Sequence, residues 1–230
     1  MPVHPAAAIA ITAFDWVPDF ARGFVRDLRP RWACEEIGLD YAEHLISAID
    51  RPADHFHHQP WGQVPVLRDG DVELFESGAI LLHLAEKDAA LLPREAQARA
   101  TTLSWLFAAF NSVEPMFFEL ANVDLFAAGQ EWATLRRPGL IDVLRGRLAR
   151  LAGALGDKPW LAGDFTVADI AMASVLRQGV EAGLVAEQPR LQAYLDRCLA
   201  RPAFDRALTA QLAAFREDAG PQAPSQGERR

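Results

Sequence analysis

Three short stretches of the chain carry residue types that can do chemistry, each with a plainer structural reading beside it. Val64-Pro65 follows Pro60-Trp61-Gly62-Gln63. Proline cannot donate a ladder hydrogen bond, so it suits a strand start or an edge. A cis Val64–Pro65 bond would expose the N–H and C=O of Val64 to an extended peptide, which can pair with them as an added strand. A simple turn ahead of a hairpin fits the same residues. Glu76-Ser77 stands between a strand-like run and a helix-like run. Unpaired N–H groups and the dipole of a helix start favour a carboxylate there. The Ser77 hydroxyl can contact that carboxylate, and Glu76 can meet an ammonium group. Capping its own helix is the plainer role for Ser77. Thr166-Val167-Ala168-Asp169 resembles a capping box and reads as structural. His55, His57 and His58 cluster before Pro60, but no Cys or carboxylate stands at ligand-like spacing, so no metal site is expected. Cys34 and Cys198 read as buried thiols of a reducing compartment rather than a disulfide.

The elements that must position these residues follow from the hydrophobic pattern. Ile9–Phe14 and Tyr41–Ile46 are strand-like. Val64–Arg68 and Val72–Phe75 flank Asp69-Gly70-Asp71, a strong hairpin signal. Ser77–Lys87 has the period of a helix, with Ile80, Leu81, Leu84 and Ala85 on one face. After Leu91-Leu92-Pro93 the strand signals stop. Ala96–Leu125 is helical, with Pro115 expected to kink or break it. Leu140–Leu155, Val167–Val180, a segment around Leu191–Leu199, and Pro202–Phe215 follow as further helices. From Glu217 onward no apolar period remains, which is the pattern of a disordered tail. The expected organisation is residues 1–88 as a small α/β domain, 96–217 as an all-helical domain, and 218–230 as the tail.

Composition excludes several function classes. The 230 residues carry 23 Lys and Arg against 31 Asp and Glu, a formal charge of −8. That balance argues against a general nucleic-acid binder, which needs a basic face for phosphates. A local basic pocket for a small anion remains compatible with it. No apolar run reaches the ~18–20 residues that span a bilayer. No Lys or Arg precedes the apolar N-terminal stretch, so a signal peptide is not expected and the location is read as cytoplasmic. Abundant Ala and Arg with two lysines suggest a bacterial source.

In this order and spacing, Gln63-Val64-Pro65, the hairpin, Glu76-Ser77 and the later Gly163-Asp164-Phe165-Thr166-Val167-Ala168-Asp169 resemble the cytosolic glutathione S-transferase family from about residue 8 to 216. Arg201-Pro202-Ala203-Phe204 is similar to the family's closing helices. The resemblance implies a thioredoxin-like N-terminal domain followed by an all-helical C-terminal domain, and a homodimer. It implies glutathione as co-substrate, with Val64 and Pro65 at its cysteinyl part, Glu76 and Ser77 at its γ-glutamyl end, and Gln63 near the peptide. It also implies a hydrophobic electrophile as second substrate, for which Val17, Trp105, Asn111 and Glu114 are candidate contacts, and a role in detoxification.

The family activates the glutathione thiol with a Ser, Cys or Tyr after the first strand. Lowering a thiol pKa by about two units takes roughly 2.7 kcal/mol of preference for the thiolate. A hydroxyl hydrogen bond with dipole help is of that order. Here Val17-Pro18 occupies the position counted forward from the strand, and Phe24 the position counted back from Trp32–Leu39. The mismatch of seven residues, about two helical turns, implies an insertion that lengthens the first helix or adds a turn before it. Pro18 would suit a helix start, and Pro30 would kink the segment or open its second half. Between Ala13 and Leu39 there is no Ser, Thr or Tyr. Backbone N–H groups at Asp19–Phe20, the Trp16 indole N–H, or an arginine must then serve. Arg22 is the first choice among Arg22, Arg26, Arg29 and Arg31, the plainer reading of which is a solvated helix face. A packed lid is the plainer reading of Trp16. The alternative function is a non-catalytic protein that binds glutathione, its conjugates or a partner on the same fold.

Overall fold

The structure, a computed structural model, describes residues 3–221. The first part of the chain runs β1 (Ile9–Phe14), a 3₁₀ turn (Asp19–Ala21), α1 (Leu28–Ile37), β2 (Tyr41–Ile46), α2 (His55–His58), β3 (Val66–Asp69), β4 (Val72–Phe75) and α3 (Ser77–Ala85). The strands form one sheet in the order β2-β1-β3-β4. β1 pairs parallel with β2, with Ile9 opposite Tyr41, and antiparallel with β3, with Ile11 opposite Leu67. β3 and β4 are the expected hairpin, turning at Gly70 with φ 59°. Central position explains the composition of β1: Ile9, Ile11 and Ala13 are all buried.

The extra residues after β1 do not lengthen the first helix. They add the 3₁₀ turn ahead of it, entered at Pro18. Pro30 falls in the first turn of α1, where its missing N–H would have had no helical acceptor, so no kink is needed. Gly38, at φ 68°, ends α1 in the left-handed conformation that glycine adopts without a Cβ penalty.

α9 (Pro202–Ala214) packs on α1. Trp32 and Phe204 meet edge to face at 4.8 Å. Arg206 donates to the Glu35 carboxylate at 2.6 Å. Gln211 donates to Asp27 at 2.7 Å and to the Val25 carbonyl at 3.0 Å. The closing helix therefore groups with the sheet: one compact unit takes the chain up to Ile80 and again from Pro202, and the second takes Leu81–Arg201.

The second unit holds α4 (Ala96–Ala108), α5 (Glu114–Ala121), α6 (Glu131–Leu155), α7 (Val167–Leu176) and α8 (Pro189–Leu199). Glu95 caps α4 through the N–H groups of Gln97 and Ala98. Pro115 does not break the chain's helical course. It sits in the first turn of α5, directly after a π-helical turn at Ala109–Val113 that takes up the misfit. All ten residues of α7 are buried. Its Asp169 accepts from the N–H groups of Leu161 and Thr166 and from the Tyr194 hydroxyl at 2.9–3.0 Å. With the Asp169 N–H donating back to the Thr166 side chain, this is the expected capping box. No helix among the described residues is long and apolar enough to cross a membrane.

The tail expectation is corrected at its start. Glu217–Ala219 form a 3₁₀ turn, and Arg216 N–H donates to the Asp15 carbonyl at 2.7 Å. Residues 222–230 of that expectation lie outside the described residues.

Candidate functional site

Strand register alone gathers the chemical stretches. Val66 opposes Phe75 across the hairpin, so the residues before β3 lie beside those after β4. Because β1 runs antiparallel to β3, the end of β1 arrives at that same end of the sheet. Val64-Pro65, Glu76-Ser77 and the loop from Asp15 thus converge.

The Val64–Pro65 bond is cis. Among the described residues the N–H and C=O of Val64 have no protein partner. The loop before it is stitched down. His55, buried, has its Nε2 on the Gln63 carbonyl at 2.7 Å. The buried Gln59 side chain accepts from Trp61 and Gln63 N–H. The backbone of Gln63 is therefore fixed while its side chain is exposed. The histidine cluster has structural work instead of ligand geometry: His58 pairs with Glu73 at 2.6 Å. Among the described residues no group of three or more His, Cys, Asp or Glu is placed to hold a metal.

Glu76 is the one non-glycine residue with positive φ, 69°, among the described residues. Such a conformation costs on the order of 1 kcal/mol or more and is retained where the surroundings demand it, often at ligand sites. Its side chain is exposed. Ser77 beside it is buried at the first turn of α3. Its Oγ accepts from Arg29 Nη1 at 2.8 Å, and Arg29 is itself buried. The start of α3 thus combines free helix N–H groups, a hydroxyl and a guanidinium, an arrangement suited to a carboxylate.

That contact corrects the reading of the arginines as a solvated face. Arg31 is fully buried too, held by Asp27 at 2.7 Å and by Glu43. Burial works against its charge, but the Asp27 and Glu43 carboxylates outweigh that and raise its pKa. The Asp27–Arg31 spacing of four is a local sign of this, but Ser77 and Glu43 come from other elements and leave no mark in the pattern Arg22 to Arg31.

In the loop after β1, Trp16 is half-buried and Val17 is buried. Arg22 lies 3.3 Å from Asp19 and its guanidinium stands 5.8 Å from the centre of the Phe215 ring. Both cysteines are buried and neither is in a disulfide. Burial pushes the Cys198 thiol far up, so it stays protonated. Neither thiol can serve as a surface nucleophile. In the helical unit, Trp105 is half-buried, Asn111 exposed and Glu114 buried.

Comparison with known proteins decides the family. The model of the glutathione S-transferase N-terminal domain matches residues 20–86, and that of the C-terminal domain residues 142–202. The disulfide-bond oxidoreductase YfcG of Escherichia coli is 35% identical over 207 residues, covering 80% of this chain and 91% of its own. The chain belongs to the glutathione S-transferase family. Glutathione S-transferase 3 of Zea mays is 31% identical over 76% of this chain and 85% of its own. A glutathione transferase from Burkholderia graminis, solved with two glutathione molecules per subunit, superposes with a TM-score of 0.78 at 28% identity, covering 88% of each chain. A family member from Pseudomonas fluorescens, also with two glutathiones bound, gives 0.76 at 26% identity over 89% of this chain and 93% of its own. The thioredoxin-like sheet unit and the helical unit are those of this family, as the sequence motifs imply.

Proposed function

We propose that this chain is a glutathione transferase that binds glutathione along the β3 edge and presents its thiolate to a hydrophobic electrophile. The observation that carries the reading is the buried Ser77 hydroxyl, held by Arg29 at the start of α3. Ser77 and the first N–H groups of α3 take the γ-glutamyl carboxylate, and exposed Glu76 takes the ammonium. Val64 pairs its N–H and C=O with the cysteinyl residue, next to Pro65, and Gln63 reaches the peptide. This fixes the thiol at the end of β1. There Trp16 and Arg22 supply the stabilisation that a hydroxyl gives elsewhere in the family. The thiol proton passes to solvent and the sulfur then attacks the electrophile, the new C–S bond forming as a leaving group departs with its electron pair or as an activated double bond takes up that pair and a solvent proton, with orientation as the protein's main contribution. Trp105 and Asn111 are the side chains proposed to select the electrophile. Buried Val17 would act through packing. The same reading takes the protein as cytoplasmic, detoxifying and a homodimer, and light scattering on the purified chain checks the dimer.

Calorimetric titration with glutathione tests the reading. Binding that weakens in Ser77→Ala is expected, by about 5-fold to 150-fold if 1–3 kcal/mol is lost with one buried hydrogen-bonding group. Absence of heat and of competition by glutathione analogues would remove it.

The relative named a disulfide-bond oxidoreductase favours a second reading, reduction of a disulfide. With both cysteines of this chain buried, the two electrons would come from two glutathiones: one thiolate attacks the disulfide and releases a thiol, and the second resolves the mixed disulfide to give glutathione disulfide. Release of glutathione disulfide with a model disulfide, and no thioether with model electrophiles, would select it.

A further inference from the structure

We propose that the C-terminal stretch Phe215–Gly220 is a positioning strap for the thiol loop, holding Trp16 and Arg22 where the bound sulfur needs them. The proposal rests on the reading of Trp16 and Arg22 given above. Three contacts tie the stretch to that loop. Arg216 N–H donates to the Asp15 carbonyl at 2.7 Å. Gly220 lies so close to Trp16 that a Cβ on it would stand 2.6 Å from the indole Nε1 and 2.9 Å from Cε2. The Arg22 guanidinium stands over the ring of Phe215 at 5.8 Å. Between the first two contacts the stretch is stiffened by the 3₁₀ turn Glu217–Ala219 and by the two-pronged Arg216–Asp218 pair at 3.0 and 3.2 Å.

The role of Gly220 is informative because its backbone does not require glycine. At φ −74° and ψ 170° it is ordinary extended chain that any residue adopts. What glycine provides is the absence of a Cβ against the face of the indole over its nitrogen. That leaves the N–H edge, which the proposed chemistry uses, clear of the strap. The strap departs from α9, which is anchored on α1 by Gln211 and Arg206. The thiol loop is thereby braced by the far end of the chain, while no side chain inside the loop provides a Ser, Thr, Tyr or Cys to hold the sulfur. Arg216 and Gly220 are positioning residues in this account and touch no substrate.

The experiment uses the full chain and four variants. The Trp16 contribution to fluorescence is taken as the difference between wild type and Trp16→Phe. Gly220→Val, which forces a side chain against the indole, and Arg216→Pro, which deletes the N–H, should both shift that contribution to longer wavelength and make it more open to quenching. Arg216→Ala keeps the N–H and loses only the exposed pair with Asp218, so its shift should be clearly smaller than that of either other variant. The thiol of bound glutathione, followed by its thiolate absorbance against pH, should titrate higher in Gly220→Val and Arg216→Pro. Half to one pKa unit is expected, roughly a threefold to tenfold loss of thiolate at pH values well below that pKa, with glutathione Kd within about twofold. Unshifted Trp16 emission in both variants would overturn the strap. So would shifted emission with an unmoved thiol titration where Trp16→Phe does move it. If Trp16→Phe itself leaves the thiol titration unmoved, the assignment of Trp16 to the thiol falls, and the emission result still reports on the strap.

Discussion

The two ends of the proposed glutathione site are built in different ways. The γ-glutamyl end is local and rigid: a strand stops, one residue takes a left-handed turn at Glu76, and α3 begins with buried Ser77. Its distant contributor is Arg29, from the first turn of α1. The thiol end has no such core. It is a loop and a 3₁₀ turn, half-exposed at Trp16, and braced by backbone and side chains from the C-terminal stretch. A helix start can make an anion site from a few consecutive residues, because the N–H groups come with the element. A loop without a hydroxyl or thiol has to borrow its order from elsewhere in the chain.

That contrast predicts a graded set of effects. The largest belongs to the buried pair that carries α1 between the two ends. Asp27→Ala leaves Arg31 buried with one carboxylate fewer and frees Gln211, and should cost about 3–5 kcal/mol in stability, measured by urea unfolding. A change far smaller than that would mean α1 is not held by this pair. Next is Arg29→Gln, which removes a charge-assisted donor from Ser77. A loss of about 1.5–3 kcal/mol in glutathione binding is expected, with the pH titration of the bound thiol unchanged. A shifted thiol titration would erase the distinction between the ends. Trp16→Phe should do the converse, moving the thiol titration by up to about one pKa unit while glutathione Kd stays near wild type. The smallest effect sharpens the comparison from outside. Arg68→Ala breaks the exposed pair with Glu73 on the hairpin and should change stability by no more than about 1 kcal/mol, with both ends of the site untouched.

What could be read from the sequence divides along the same line. Asp69-Gly70 between apolar runs, Ser77 ahead of an apolar period, and Thr166 with Asp169 are local signals, and each element they mark is present. The same holds for the family motifs, which are strung along those elements. Contacts between residues far apart in sequence left no such mark. Arg29 meets Ser77 across 48 residues and Gln211 meets Asp27 across 184, and neither pair has a spacing that pattern reasoning can detect. The start of α6 was hidden for another reason. Of Glu131–Gly139 only Ala133 is buried, so the apolar stripe begins at Leu140, nine residues after the helix does. The polar tail misled in the opposite sense. Glu217–Gly220 lacks an apolar period because the chain docks here through the Arg216 N–H, the Phe215 ring face and the missing Cβ of Gly220, none of which a hydrophobicity pattern records.

On the proposed reading, this chain lowers the pKa of the glutathione thiol without a hydroxyl or thiol of its own beside it. Thiolate absorbance of saturating glutathione, titrated against pH with and without the protein, measures this. Bound glutathione is expected to keep its thiolate signal to a pH about two units below that of the free peptide. Coincident titrations, with binding shown by calorimetry in the same buffer, would contradict it.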